Sequence, residues 1–178
     1  GNTAVGSKCL EDNTHGDGNN GQGYFCLTSC TTGDNNVGMG TSAGTNVTTG
    51  SNNTIIGTGA GSAITTGNYN TAIGKNSSVT TTTGSNNTTV GYDSRTSGAN
   101  AQGQIVIGAS VTGTGNTRVH IGNSSSHIYN DYTSNATWTH SSDERSKKDI
   151  KPSNLGLDFI NELNPVTYKF KAPSEYPT

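Results

Sequence analysis

A unit of 17 residues repeats along the first two thirds of this chain. Four related segments, each 17 residues after the one before, are TTGDNNVGMG from Thr31, TTGSNNTIIG from Thr48, TTGNYNTAIG from Thr65 and TTGSNNTTVG from Thr82. The closing glycine continues this spacing in both directions, through Gly6, Gly23, Gly40, Gly57, Gly74, Gly91 and Gly108, and Gly122 follows after only 14 residues. A short period held without insertions predicts stacked coils, each too small to fold by itself.

Equivalent residues of successive coils are expected to lie above one another at the ~4.8 Å spacing of paired strands. Just before the glycine come Val5, Gln22, Met39, Ile56, Ile73, Val90, Ile107 and Ile121. Two residues earlier come Thr3, Asn20, Val37, Thr54, Thr71, Thr88, Ile105 and Val119. This alternation of β-formers predicts a short strand in every coil, with the glycine turning the chain at its end.

A column of asparagines precedes the glycine by four residues. Its members are Asn2, Asn19, Asn36, Asn53, Asn70 and Asn87. Stacked asparagine side chains are expected to form a hydrogen-bonded ladder that also satisfies backbone groups of the turns. The fold class predicted for the repeats is therefore all-β, a parallel β-solenoid of 17-residue coils, left- or right-handed.

Composition alone would favour disorder, because only 28% of the residues are hydrophobic. A disordered low-complexity tract, however, has no need to keep a fixed register. The formal net charge of −2, with 12% charged residues, provides no basic field for nucleic acid or a membrane surface. No apolar run reaches the roughly 18 residues of a membrane span and no signal-peptide pattern opens the sequence, so we expect a soluble chain or a fragment, without membrane insertion.

The three cysteines could form a metal site or a disulfide framework, but their columns favour buried structural thiols. Cys9 and Cys26 share a column with Ala43 and Ala60, whereas Cys30 shares one with Val47 and Ile64. Parallel Cβ vectors on adjacent coils disfavour a bond between Cys9 and Cys26. We therefore expect no metal and no cofactor, and the odd number of cysteines fits assembly in a reducing compartment.

Such thin coils bury too little apolar surface to offset the ordering of so many glycines. We infer an obligate homo-oligomer, and three coils packed about a common axis would convert the outer strand faces into a core. The number three does not follow from the repeats themselves.

Three regions are predicted along the chain: the repeats over residues 1–122, a neck over 123–140 and a C-terminal region over 141–178. The neck contains Tyr129, Tyr132 and Trp138, aromatic residues that could bind sugar but more often plug a narrow fibre. All four prolines follow residue 141. There a helix capped by Ser153 and ended by Pro165 is expected, followed by a strand over 166–170, which makes a small α+β piece.

The stretch SSDERSKKDI, from Ser141 to Ile150, and LNPVTY, from Leu163 to Tyr168, resemble the start of the endosialidase-type intramolecular chaperone domain, also called the S74 peptidase family. The repeats look like those of trimeric viral fibres and of bacterial trimeric-adhesin heads. The resemblance implies a homotrimeric phage-type fibre or tail fibre, assembled in the host cytoplasm and exposed on the virion surface. Its implied partners are other virion proteins and a host surface glycan or receptor.

In many members of that family the domain releases itself by cutting the bond before the motif serine. The resemblance then implies that Ser142 is the nucleophile and Lys147 its general base, with cleavage between Ser141 and Ser142. Ser146 departs from the family pattern, which usually has an apolar residue there. The structural alternative is that Ser142 caps a turn and that Asp143 and Glu144 pair with neighbouring cations.

Two other functions fit parts of the sequence. A cellular trimeric adhesin would share the repeats but should end in a membrane anchor. A polysaccharide-cleaving tailspike would need carboxylates converging on a cleft, whereas the acids of the repeats, among them Asp17, Asp34 and Asp93, are scattered. No multiple-turnover enzyme is expected within this chain, and the only activity the resemblance implies is a single self-cleavage.

Overall fold

The computed structural model describes residues 1–133, and these form nine strands in one sheet. The chain divides into two compact units, Gly1–His140 and Ser141–Thr178, and the description below concerns the first. The strands are β1 (Thr3–Val5), β2 (Asn20–Gln22), β3 (Val37–Met39), β4 (Thr54–Ile56), β5 (Thr71–Ile73), β6 (Thr88–Val90), β7 (Ile105–Ala109), β8 (Arg118–Asn123) and β9 (His127–Asp131).

Strands β1 to β8 stack in chain order as parallel neighbours. From β1 to β7 each residue pairs with the residue 17 positions later, as in Thr54 with Thr71 and Ile56 with Ile73. The last step is shorter, and Ile107 of β7 pairs with Ile121 of β8. The predicted parallel β-solenoid of 17-residue coils is confirmed, and residues 1–133 contain no helix.

Glycine is required at the corner after each strand. Gly57 has a φ of 129°, in the region that L side chains rarely adopt, and a Cβ built on it would lie 2.7 Å from the carbonyl oxygen of Gly74 in the next coil. Its N–H donates to the carbonyl of Met39 in the preceding coil at 2.8 Å. The corner therefore needs both the conformation and the small volume of glycine.

The middle residues of the short strands point into the coil. The middle residue of each short strand from β2 to β6 is buried, and these residues are Gly21, Gly38, Ile55, Ala72 and Thr89. The size of each middle residue is complementary to that of the inward residue 12 positions earlier in the chain. Cys9 and Cys26 stand 12 positions before Gly21 and Gly38, whereas the smaller Ala43 stands 12 positions before the larger Ile55. A Cβ on Gly38 would lie 2.5 Å from Cys26 Sγ, so each pair fills one layer of the core.

The Asn ladder runs through the interior beside the strands. Asn53 Nδ2 donates to Asn36 Oδ1 at 3.0 Å and to the carbonyl of Gly67 at 2.9 Å. Asn53 Oδ1 accepts from both the backbone N–H and Nδ2 of Asn70, at 2.9 and 3.2 Å. Both donors and the acceptor of this buried amide are thus used, which allows a polar column in a thin core.

Strand β9 reverses the direction of the sheet. It pairs antiparallel with β8, so that His120 lies opposite Tyr129 and Arg118 opposite Asp131. The Arg118 Nε–Asp131 Oδ2 ion pair of 2.9 Å joins the two strands. Residues 127–131, which the sequence assigns to a neck, are therefore continuous with the solenoid sheet.

Candidate functional site

The outward residues of the stacked strands form one surface, which we call the strand face. It consists of the two columns that flank the middle residue of each strand, from Thr3 and Val5 on β1 to Ile105 and Ile107 on β7, and it includes Ile121 on β8. Half-buried threonine stands beside a half-buried aliphatic residue on β4, β5 and β6. Nearer the ends the face is more open, and Val5 is 54% exposed and Met39 46% exposed.

The strand face gathers the exposed aliphatic surface of residues 1–133. The large non-aromatic hydrophobic residues that are exposed are Val5, Val37, Met39, Ile107 and Ile121, and all of them lie on this face. The other large exposed hydrophobic residues are tyrosines. A gathering of exposed apolar residues on one face of this kind marks an interaction surface.

A different part of each coil, outside the strand face, is polar. Thr32, Thr49, Thr66 and Thr83 form an exposed column there. A second threonine column beside it, from Thr14 to Thr65, uses its hydroxyls to donate to the carbonyl of the equivalent residue in the next coil. The coil is therefore amphipathic, with one apolar side and one side suited to water.

All three cysteines are free and buried inside the first coils. Burial raises the pKa of the Cys26 thiol to about 12, while the backbone of Gln22 and the neighbouring Cys9 have smaller effects. Burial also raises the pKa of Cys9 and of Cys30. Thiols that stay protonated at neutral pH are poor nucleophiles and poor metal ligands, so these side chains act as packing groups. Residues 1–133 contain no cluster of three or more side chains able to hold a metal ion.

A histidine closes the core at the C-terminal end of the stack. His120 is fully buried and stacks on Tyr129, with ring centroids 5.7 Å apart, while the ring of His127 lies at 5.4 Å. Its Nε2 accepts from the backbone N–H of Thr114 at 3.3 Å, which places the proton of the neutral ring on Nδ1. Burial lowers the pKa of His120, and the neighbouring His127 and Arg118 lower it further.

The sequence offers no partner at ligand spacing for His120 and so predicts only a solvated or structural histidine. A sharper signal was available, because His120 stands two residues before Gly122 and thus in the inward column of the strands. The contact with Tyr129 could not be found in the same way, because β9 has no counterpart in the repeat.

The residues singled out from the sequence fall into two groups. The Asn column from Asn2 to Asn87 and the Gly column from Gly6 to Gly108 lie within residues 1–133, in the ladder and at the corners described above. Ser141, Ser142 and Lys147 lie outside the described residues, as do Trp138 and the expected C-terminal helix and strand. No helix within residues 1–133 is long and apolar enough to cross a membrane.

Comparison with known families agrees with the motif at Ser142. Residues 142–177 match the family model Peptidase S74, described as the chaperone of endosialidase. The chain matches no curated protein and no solved structure. Residues 1–133 thus form a parallel β-solenoid, and residues 142–177 are similar to the chaperone of endosialidase, a combination that fits a phage fibre protein.

Proposed function

We propose that three copies of this chain pack through their strand faces to form a fibre segment, and that the C-terminal segment belongs to an intramolecular chaperone that aligns the three chains. The observation that carries the proposal is the gathering of the exposed aliphatic residues on one face of the solenoid. Chaperone domains of this family are associated with trimeric fibres, which favours three copies over two.

The thin core makes this packing energetically necessary. Inside one coil the strands contribute glycine, alanine and threonine at most layers, so a single chain buries few large side chains. Burial of apolar surface contributes about 25 cal/mol per Å². Packing Ile56, Ile73 and Ile107 of three chains about an axis would add the larger side chains that the coil itself leaves outside.

Sedimentation equilibrium of the full chain tests the assembly. We expect a trimer, and we expect Ile73→Lys to abolish it, because the substitution would place three cations on the axis. Thr66→Lys, in the same coil but on the polar side, is the matched control and should leave the trimer intact. A folded monomer at micromolar concentration would contradict the proposal.

We further propose that the assembled chain cuts itself between Ser141 and Ser142. The Ser142 hydroxyl oxygen would attack the carbonyl carbon of Ser141 while Lys147 removes the hydroxyl proton and passes it to the departing amine. Water would then hydrolyse the resulting ester and regenerate the hydroxyl. The family match, which begins at Ser142, supports this step.

The fibre's proposed place is the virion surface, with host attachment as its role. The polar sides of the coils would face outward in the trimer, and Tyr24, Tyr69 and Tyr92 are exposed aromatic residues of the repeats. Attachment is tested by binding of the labelled trimer to host cells, with denatured protein as the control. Absence of any saturable binding would contradict the attachment role and indicate that the segment is only a structural spacer.

A further inference from the structure

Strand β2 breaks the pattern of the strand face. Its outward residues are Asn20 and Gln22, and both are exposed. The register places Gln22 directly between Val5 of β1 and Met39 of β3, so a polar amide interrupts an otherwise aliphatic column. On β1 and on β3 to β7 the residue in this column is valine, methionine or isoleucine.

Neither side-chain amide has a hydrogen-bond partner among the described residues of its own chain. Within residues 1–133 the Asn20 and Gln22 side chains make no hydrogen bond, whereas the amides of the Asn ladder one column away are fully used. Carboxamides carry two donors and an acceptor with two lone pairs, and a buried amide left without partners is strongly unfavourable. A trimer built on the strand face would bury these groups, so they must find partners in the other copies.

The middle of the strand face, on β4 to β6, does not determine which coils meet. Strands β4, β5 and β6 present threonine followed by isoleucine, isoleucine or valine, so a chain shifted by one coil, about 4.8 Å, would meet almost identical neighbours. A repeat that stacks so regularly therefore lacks an intrinsic axial register along its middle. A single polar position within an apolar seam is a known means of fixing register, at some cost in stability.

We propose that Asn20 and Gln22 of three copies form one polar layer across the trimer axis, and that this layer fixes the axial register of the solenoids. The inference rests on the proposed trimer. In register, the amides of the three chains hydrogen-bond one another. When one chain is shifted, its Gln22 faces Val5 or Met39 of the other chains, and amides of all three chains lose hydrogen-bond partners.

Co-expression of two chains with tags of different mass tests the layer. The full wild-type chain is expressed together with Asn20→Thr/Gln22→Ile, which gives β2 the outward residues of β4. We expect each chain to form homotrimers, with mixed trimers about tenfold below the random proportion in native mass spectrometry, a ratio that corresponds to about 1.4 kcal/mol. Mixed trimers at the random proportion would overturn the proposal.

Two controls and a second variant make the result specific. Wild-type chains with different tags should mix at random, and so should wild type with Ile73→Val/Val90→Ile, which changes two residues of the same column without moving an amide. A chain with the layer moved to β3, by Asn20→Val, Gln22→Met, Val37→Asn and Met39→Gln, should again exclude wild type. All four positions are exposed in the single chain, so these changes leave the coil core intact.

Failure of the layer and failure of the trimer give different results. If trimers form but mix freely, the proposed trimeric fibre stands and the proposed polar layer is wrong. A wild-type chain that sediments as a monomer overturns both.

Discussion

At the scale of single residues, the Asn ladder shows how a thin core tolerates buried polarity. Each amide bonds to the coil before and to the coil after, so its hydrogen bonds form only when three coils are stacked. The ladder therefore joins coils whose apolar contacts are small. Its contribution lies largely in the penalty for removing one member, because the remaining groups would stay buried without partners.

We expect Asn53→Ala to lower the free energy of unfolding by about 3 kcal/mol per chain, because it leaves the Gly67 carbonyl and the Asn70 N–H without their partners. Urea denaturation of the assembled protein measures the change. Thr49→Ala, an exposed substitution in the same coil, is the control and should stay within about 0.5 kcal/mol of wild type. Equal effects of the two substitutions would show that the ladder contributes no stability.

The His120 ring predicts a loss of stability in mild acid. Its pKa in the folded chain lies below the ordinary value of 6.5, chiefly because of burial. Above that value both folded and unfolded chains hold the neutral ring. As the pH falls below it, the unfolded chain binds a proton that the folded chain refuses, so stability decreases by up to about 1.4 kcal/mol per pH unit until the folded pKa is reached.

Unfolding free energies compared between about pH 7.5 and pH 5 measure this dependence. His120→Gln, which keeps an acceptor for Thr114, should flatten the profile relative to wild type. His15→Gln changes an exposed histidine and should leave the profile unchanged. A wild-type profile identical to that of His120→Gln would show that the buried ring does not control acid stability.

At the scale of the coil, paired sizes replace a conventional hydrophobic core. Gly21 faces the thiol of Cys9 in the same layer, and a Cβ at residue 21 would clash with Cys9 Sγ, whereas the next nearest atom, Leu10 Cγ, is 3.6 Å away. The layer of Ala43 and Ile55 has the opposite arrangement, in which the earlier residue is small and the strand residue is large. The two positions should therefore be strongly coupled.

A double-mutant cycle tests this coupling. Gly21→Ala should destabilise the chain by about 2 kcal/mol through overpacking, and Cys9→Ala should recover at least half of that loss in the double variant. Denaturation of the four proteins gives the interaction free energy. Strictly additive effects would mean that the Cys9 thiol moves aside and that the layer is not closely packed.

The repeat predicted the coil because a fixed period and strand pairing impose the same register, as in Thr54 with Thr71. It could not predict the partition of sizes, in which Gly38 lies inside and Met39 outside, because both alternating columns contain apolar residues. It also missed β9, since residues 123–131 continue no column and a hairpin depends on local turn geometry. Ser142 and Lys147 were found by resemblance, and their arrangement stays a prediction.

At the scale of the whole molecule, the proposed assembly and self-cleavage should be ordered events. A protein carrying the complete downstream domain should be cut between Ser141 and Ser142 only after trimer formation, because a hydroxyl and its base must be held in attack geometry. Ser142→Ala and Lys147→Ala should both give uncut chains that still form trimers, whereas Lys148→Ala should still be cut. Intact mass measured alongside sedimentation follows both events, and a properly trimeric wild type that stays uncut would assign Ser142 and Lys147 a structural role.

The reversal at β9 has a consequence for aggregation. A stack of near-identical parallel coils exposes a strand edge that another copy could extend, coil upon coil, into filaments of indefinite length. Strand β9 occupies that edge of β8 and runs in the opposite direction, so an incoming coil in the solenoid register finds no parallel strand to continue. The hairpin at residues 118–131 thus covers the parallel strand edge at this end of the described coils, and it does so with the five residues of β9.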